Sequence, residues 1–446
     1  MSAQNPLYAD VAVIVNDSSA ASVAIGSYFA QQRGIPASRV LHVAVPPVTT
    51  VDSLGFEELR AQVEAELIGG NLLDTVNYLV TTKGLPARVS IRNGCDSNYV
   101  QAPQAINRCS CLESEMALIL GPNAADILKP FGSPNPYVMA NAPFSRDSFG
   151  IFLVSRLDGY TEQEAKSLVD HGGPGRNFFQ PEVEVLLDNA GFLPGNPSLQ
   201  FFQQVHDMLE DSLSAVGYSV FNDTSGSSIV SNRQDLIAYV AGWATDSLNG
   251  YDPNLSFAPG SIVHLWYNTA PIETDRPWTY EPGDAIADGA AVITTYTSVG
   301  FAGPNFQPHA IVPNYLDTLS TGFRPNAAEA AYRTNALLSQ QGILYGDPKT
   351  SLARSPIMSI EDPDGPAEFA LWPNPATGDA QVRMQGTHSG NATITVTDLQ
   401  GRQVMSDTWN SMESYSIDCD SWKSGLYLVQ VTQGKTSLTR KLSIVH

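Results

Sequence analysis

The chain has 446 residues, of which 43% are hydrophobic, and its 45 acidic and 24 basic residues give a formal net charge of −21. That length suits two or three domains. The charge argues against nucleic acid as a partner and against an anionic membrane surface, since both attract basic proteins. No apolar run reaches the roughly 18 residues of a transmembrane helix. The first residues do not resemble a signal peptide, so a secreted form would need one that this sequence does not contain.

The first 350 residues alternate between strand patterns and helix patterns. Apolar, β-branched runs predict strands, and apolar residues at helical spacing between cap residues predict helices. This alternation predicts an α/β protein with parallel sheets covered on both faces. The predicted strands are 10–15, 39–45, 75–86, 150–159, 182–188, 236–243, 261–268 and 289–297, and the predicted helices are 16–34, 53–70, 161–173, 197–217, 308–322 and 326–342.

The pattern restarts near residue 175, which predicts a first α/β half at 1–175 and a second at 176–355. Residues 356–367 are polar and proline-rich, as is typical of a linker. From 368 to 446 short alternating strands are separated by glycine and aspartate turns. This last segment is predicted to be a small antiparallel β-sandwich.

The C-terminal segment also carries four short motifs in a fixed order. They are "LWPNPATG" at 371–378, "VTDLQGRQV" at 396–404, "SGLYLVQV" at 424–431 and "KLSIV" at 441–445. Together they resemble the sorting domain of proteins exported by the type IX secretion system of Bacteroidetes-type bacteria. The resemblance implies contact with that secretion machinery and a location outside the cell or on the outer-membrane surface.

The first 355 residues are similar to an uncharacterised family of secreted bacterial proteins. The motifs that carry this similarity include "YLVTTKGLP", "LVSRLDGYT", "GSIVHLWYNTA" and "GDP". That family distantly resembles the gingipain and caspase-like cysteine peptidases. The resemblance implies two caspase/gingipain-like parallel-sheet halves, of which the second would be the catalytic one.

In the caspase-like pattern a histidine follows one strand and the catalytic cysteine follows the next. Here Trp243 stands near the histidine position, and Tyr267 or Asn268 stands near the cysteine position. No cysteine lies between Cys111 and Cys419, so a cysteine–histidine dyad cannot form in the second half. We therefore expect a pseudoenzyme. A cleft with Trp243, Trp266, Tyr267 and Asn268 would bind an extracellular peptide or glycan.

Two other functions remain open at this stage. A hydrolase could use a hydroxyl nucleophile with His264 or a carboxylate, which requires a hydrogen bond between nucleophile and base and an oxyanion hole. The catalytic candidates are His264, Ser298 and Asp246, and further hydroxyls near these strand ends are Thr269, Thr294 and Thr295. His264 could equally be a core residue, because it alternates with apolar neighbours. The third possibility is a structural or adhesive surface protein.

Several polar residues outside this cleft have simpler interpretations. Asp347, in "YGDP", is typical of a turn, although it is also one of the carboxylates expected nearest the cleft. Asp158 follows a strand and is interpreted as a helix cap, and Arg156 is expected to pair with an acidic group nearby.

The cysteines favour a structural role. In an oxidising compartment Cys95 is expected to form a disulfide with Cys109 or Cys111, with Cys109 preferred. A zinc site has little support, because no second closely spaced pair of ligands follows. No metal site and no cofactor are predicted, apart from possible Ca²⁺ at "FNDTSGSS" or "DPDG". Nucleotide-binding glycine motifs are absent from the sequence.

Overall fold

The computed structural model divides the chain into two compact units, Met1–Arg354 and Ser355–His446. We call them the front unit and the tail unit. No helix in the described ranges is long and apolar enough to cross a membrane. The structure describes residues 5–90, 109–129, 132–178, 182–189, 197–224, 229–241, 253–265, 272, 280–296, 308–316, 323–353, 368–372, 376–385, 391–398, 402–410, 414–433 and 436–445.

The front unit begins with alternating strands and helices, as the sequence predicts. Its elements up to residue 175 are β1 (Val11–Asn16), α1 (Ala20–Arg33), β2 (Val40–Val43), β3 (Thr50–Asp52), α2 (Ser53–Gly69), β4 (Tyr78–Thr82), β5 (Arg88–Ser90), β6 (Cys109–Cys111), α3 (Leu112–Met116), β7 (Ser133–Pro134), α4 (Arg146–Phe149), β8 (Leu153–Leu157) and α5 (Glu162–His171).

The alternation continues through the rest of the front unit. The elements there are β9 (Glu184–Asp188), α6 (Pro197–Ser214), β10 (Ser219–Asn222), β11 (Arg233–Ala241), β12 (Leu255–Leu265), α7 (Pro282–Ala287), β13 (Val292–Tyr296), α8 (Pro308–Tyr315), α9 (Ala327–Thr334), β14 (Leu337–Leu338) and β15 (Gly342–Gly346).

Ten of these strands form one sheet, in the order β10-β9-β11-β12-β13-β15-β8-β4-β1-β2. The pairs within β2-β1-β4-β8 and within β10-β9-β11-β12-β13 are parallel, whereas β13 and β15 are antiparallel. The fold is thus mixed α/β, with a large and mostly parallel sheet. The predicted halves 1–175 and 176–355 contribute to one continuous hydrophobic core, and the boundary between them stays a prediction.

Local sequence explains where the main helices begin and end. The side chain of Ser19 caps α1 by accepting the backbone N–H of Ser22, and Gly34 ends the helix with a φ of 64°. A glycine adopts that left-handed conformation without steric cost. Thr161 and Glu164 form a reciprocal capping box that begins α5. These helices pack against the central strands, of which β1 is buried at every position.

The helix predicted over 326–342 is wrong in its second part. The structure ends α9 at Thr334, and Asn335 takes an extended conformation with φ −97° and ψ 107°. The following Leu337 and Leu338 pair with β7 as a short antiparallel strand. Tertiary pairing therefore overrides a sequence that is compatible with helix.

The tail unit contains only strands among its described residues. They are β16 (Glu368–Trp372), β17 (Asp379–Gln385), β18 (Asn391–Asp398), β19 (Gln403–Asn410), β20 (Tyr415–Asp418), β21 (Gly425–Gln433) and β22 (Thr436–Ile444). They form two antiparallel sheets, β16-β17-β20 and β19-β18-β21-β22. Buried residues from both sheets make one core, which agrees with the small antiparallel domain predicted for this segment.

Candidate functional site

The predicted cleft lies where β11, β12 and β13 end. The structure describes these strands up to Ala241, Leu265 and Tyr296. The residues that the sequence places just beyond those ends lie outside the described part of the chain and stay predictions. They are Trp243, Asp246, Trp266, Tyr267, Asn268 and Ser298.

Of the catalytic candidates His264, Ser298 and Asp246, His264 lies within the described part of the chain. It lies near the end of β12, fully buried, and its Nδ1 is 2.8 Å from the Oγ1 of Thr294 on β13. Burial, helped by the charge of nearby His206, lowers the pKa of His264 to about 3. Thr294 is also fully buried. The geometry favours a core histidine.

A buried carboxylate ends β9 on the same sheet. Asp188 accepts hydrogen bonds from the Tyr239 hydroxyl at 3.0 Å and from the backbone N–H of Val230 at 3.1 Å. Tyr239 lies on β11 and also contacts Tyr280 edge-on. These contacts fix the ends of adjacent strands beneath the predicted cleft.

A charged network lies at the ends of β4 and β8. Arg156 is 2% exposed, yet its guanidinium binds two carboxylates, with Nε 2.8 Å from Asp158 and Nη1 3.0 Å from Glu113. It also donates to the backbone carbonyls of Leu85 and Pro86. Burial alone would lower the Arg156 pKa, but Asp158 and Glu113 outweigh it and raise that pKa. A fully satisfied cation of this kind organises the surrounding loops.

The same network joins the residues that follow β4 and β8. The Nζ of Lys83 lies 3.1 Å from Asp158 and 2.6 Å from the carbonyl of Gly159. The expected pairing of Arg156 is therefore confirmed. The interpretation of Asp158 as a helix cap is wrong, because Thr161 caps α5 and both oxygens of Asp158 bind cations.

Sequence reasoning missed Glu113, Lys83 and Thr81, whose hydroxyl donates to Glu113 at 2.6 Å. Glu113 is 43 residues from Arg156 and sits in a short helix, so no local pattern connects the two. Lys83 carried a usable signal, since it stands in a Lys-Gly turn directly after a buried strand.

Asp347 lies away from the predicted cleft, which corrects the expectation that it is near. The preceding residue, Gly346, pairs with Val292 at the beginning of β13. The carboxylate accepts the Tyr8 hydroxyl at 2.5 Å and Arg33 Nε at 2.7 Å. The turn interpretation is confirmed by the backbone bond from Thr350 to the Asp347 carbonyl. Asp347 therefore connects β15 to the segment before β1.

The described cysteines are buried. Cys111 and Cys419 are free thiols, and burial is the main cause that raises the pKa of each, in Cys419 to about 11. The alternative disulfide between Cys95 and Cys111 is therefore wrong. Pairing of Cys95 with Cys109 stays a prediction, since Cys95 lies outside the described ranges.

We expect thiol counting to find two cysteines as free thiols and two in a disulfide. In denaturant without reductant, two thiols per chain should react with a maleimide, and after reduction all four should react. Without denaturant the buried thiols should react slowly, because a thiol in apolar surroundings is rarely ionised. Four reactive thiols in unreduced, denatured protein would contradict the predicted disulfide.

Metal ligands are scattered over the described residues. Nowhere in those ranges do three or more histidine, cysteine, aspartate or glutamate side chains gather as a metal site would require. Of the two segments considered for Ca²⁺, 362–365 lies outside the described residues and 221–228 lies only partly within them. Calcium at either segment stays a prediction.

Comparison with known proteins identifies the tail. Residues 370–445 match the family of secretion system C-terminal sorting domains. No curated protein matches the chain. The protein is therefore a cargo of the type IX secretion system, secreted or held at the cell surface, and its tail is the part that meets the secretion machinery.

Two solved structures show only slight likeness to the chain. Dimeric latent PorU from Porphyromonas gingivalis is 20% identical over 25% of this chain and 11% of its own length, with a TM-score of 0.16. An engineered protein is 13% identical over 64% of this chain and 81% of its own, with a TM-score of 0.15. Both scores are too low to support an argument about fold or function.

Proposed function

We propose that the protein is an exported caspase/gingipain-like pseudoenzyme that binds an extracellular ligand at the strand ends of its second half. The proposal has three supports: the strand order, the position of the thiols, and the residues that stand at the equivalent strand ends of the first half. The ligand class proposed is a peptide or a glycan, as the aromatic residues near 243–267 suggest.

The strand order supports two related halves. In the first half the strands run β2-β1-β4-β8, and in the second they run β10-β9-β11-β12. In the first half, β1 lies between β2 and β4, the next two strands of this sheet along the chain. In the second half, β9 lies in the same way between β10 and β11. By this correspondence β4 matches β11 and β8 matches β12. The loops after these two strands are where a caspase-like enzyme would carry its histidine and cysteine.

The position of the thiols is the observation that carries the proposal. Cys111 lies in β6, fully buried, and its Sγ donates to the carbonyl of Gly342 at 2.9 Å. Burial raises its pKa, so at neutral pH it is a thiol and a poor nucleophile. Cys419 belongs to the tail unit. The sequence from 176 to 355, which contains the strands of the second half, has no cysteine.

The equivalent strand ends of the first half contain an ion pair. Lys83 directly follows β4, Asp158 directly follows β8, and their charged groups lie 3.1 Å apart. With Arg156 they form a closed network that connects the two loops. Neither position carries a histidine or a cysteine, which agrees with a scaffold whose halves both lack the groups of a cysteine peptidase.

Peptide hydrolysis and ligand binding provide the test. We expect no cleavage of a mixed peptide library, either before or after the thiols are alkylated with iodoacetamide. On peptide and glycan arrays we expect binding that Trp243→Ala and Trp266→Ala weaken and that the corresponding phenylalanine variants retain, because phenylalanine keeps an aromatic face. Iodoacetamide-sensitive cleavage, or binding that both alanine variants leave unchanged, would overturn the proposal.

A hydrolase that uses Thr294 is the second candidate, favoured by the 2.8 Å contact with His264. The complete burial of Thr294 and His264 argues against this hydrolase. Ester and peptide turnover that disappears in both Thr294→Val and His264→Gln would establish the hydrolase in place of the binding protein. Turnover that these variants leave unchanged would exclude the pair as its source.

A further inference from the structure

A cavity of about 400 Å³ opens on the front unit, away from the strand ends discussed above. It is lined by Arg33, by the glycine-rich segment 172–177 and by Pro259. Arg33 ends α1, the segment connects α5 to the second half, and Pro259 is an exposed position on β12. Every lining residue belongs to the described part of the front unit.

Two guanidinium groups converge beside this cavity. The carbonyl oxygen of Gly172 accepts Nη2 of Arg33 at 3.0 Å and Nε of Arg176 at 2.6 Å. Arg33 is neutralised by Asp347 at 2.7 Å. Among the described contacts, Arg176 donates to the backbone carbonyls of Asp170 and Gly172 and to no carboxylate. Within the described residues the pair therefore has one carboxylate for two cations, in a protein whose overall charge is strongly negative.

Both guanidinium groups retain donors. The described hydrogen bonds of Arg33 and Arg176 use Nε and Nη2, which leaves Nη1 of each available, and neither Nη1 is sealed inside the protein. A guanidinium presents its N–H groups in a planar fork that suits the oxygens of a carboxylate, sulfate or phosphate. Burial and the neighbouring charge of Arg33 lower the pKa of Arg176, and they outweigh the nearby carboxylates Asp347 and Asp170, which act to raise it.

The backbone holds Arg176 in place. Its N–H donates to the carbonyl of Ser351 at 2.8 Å, and its carbonyl accepts the N–H of Ala353 at 2.9 Å. The aliphatic part of the side chain lies against Gly260, where a Cβ atom would come within 2.7 Å of it. Gly175 has a φ of 65° and open space beside it, so the rim of the cavity is not crowded. Such a cation is positioned before any ligand arrives.

We propose that this cavity is an oxyanion-binding site, in which Arg176 and Arg33 bind a carboxylate, sulfate or phosphate group of a small ligand. The site is distinct from the ligand-binding strand ends proposed above and does not depend on them. Asp347 and Asp170 are the acidic groups nearest the pair. Asp347 is occupied by Arg33 and Tyr8, and Asp170 accepts the Tyr28 hydroxyl at 2.6 Å.

The test uses sulfate, phosphate and acetate as separate probes at constant ionic strength, with chloride as the balancing anion. We expect at least one probe to raise the melting temperature of the full chain saturably, since a ligand that binds only the folded state stabilises it by mass action. Preference for acetate would indicate a carboxylate ligand, and preference for sulfate or phosphate a tetrahedral one. No saturable rise with any probe would overturn the proposal.

A matched pair of variants locates the effect. Pro259→Asp places a carboxylate in the cavity and should raise the apparent dissociation constant of the anion by about ten-fold or more. Asparagine has the shape of aspartate without its charge, so Pro259→Asn should keep a dissociation constant close to that of the wild type. Arg176→Gln should weaken binding in the same way, and Arg60→Gln, on the exposed face of α2, should not. Equal anion responses in the aspartate and asparagine variants would overturn the assignment to this cavity.

Discussion

Replacing Arg156 by methionine is expected to destabilise the front unit by roughly 3–5 kcal/mol, because removing one partner of a buried ion network leaves uncompensated charges in the interior. Among the described contacts, Asp158 would keep Lys83 and the backbone N–H of Gly159. Glu113 would keep the hydroxyl of Thr81. The other carboxylate oxygen of Glu113 has no hydrogen-bond partner among the described residues. Chemical denaturation monitored by the circular dichroism of the helices in the front unit measures the loss.

Two further variants make this test specific. Arg60→Met removes a half-buried arginine that pairs with Glu57 and Glu64 along α2, and it should cost less than about 1 kcal/mol. Adding Glu113→Gln and Asp158→Asn to Arg156→Met should recover part of the stability, because the stranded charges disappear. If Arg156→Met does not fold, recovery of folded protein in the triple variant gives the same answer. A loss from Arg156→Met no larger than that from Arg60→Met would contradict the assigned role.

Lowering the pH from 6.5 to 4.5 is expected to remove about 2–3 kcal/mol of stability through His264 alone. Its pKa is about 3 in the folded protein, against about 6.5 in an unfolded chain. Between those values the unfolded chain binds a proton that the folded protein does not, so stability rises with pH at up to about 1.4 kcal/mol per pH unit. This contribution is complete above pH 6.5 and is lost as the pH falls towards 3.

Comparison with His264→Gln isolates this effect. Burial also lowers the pKa of His206, to about 4, so this group too makes the protein less stable as the pH falls. Burial raises the pKa of Glu115 and Glu329, and these groups have the opposite effect on the pH dependence of stability. These groups are common to both proteins and largely cancel in the difference. The free energy of unfolding of the wild type, relative to that of His264→Gln, should therefore fall by about 2–3 kcal/mol between pH 6.5 and pH 4.5.

Direct titration of the His264 imidazole by NMR gives the second measurement. An imidazole of His264 that titrates near pH 6.5 in the folded protein would show that the side chain reaches water. It would also restore His264 as a candidate base.

Features that depend on neighbouring residues could be predicted from the sequence. Apolar runs separated by caps placed most strands and helices, because propensity, capping and side-chain periodicity act over a few residues. The tail motifs identified the sorting domain, whose match covers residues 370–445. The sequence has no cysteine between Cys111 and Cys419, so it does not predict a thiol peptidase site in the second half.

The contacts between polar groups that are distant in the sequence could be seen only in the folded protein. Arg156 binds Glu113 across 43 residues, and Asp347 accepts the hydroxyl of Tyr8 across 339. The tertiary structure also decided that His264 is a buried partner of Thr294, since alternation along β12 is compatible with either face of the sheet being covered. Such contacts depend on the order of the strands in the sheet and on the connections between them. Strand order and connections are determined by burial of the whole core, and no local pattern of residues encodes them.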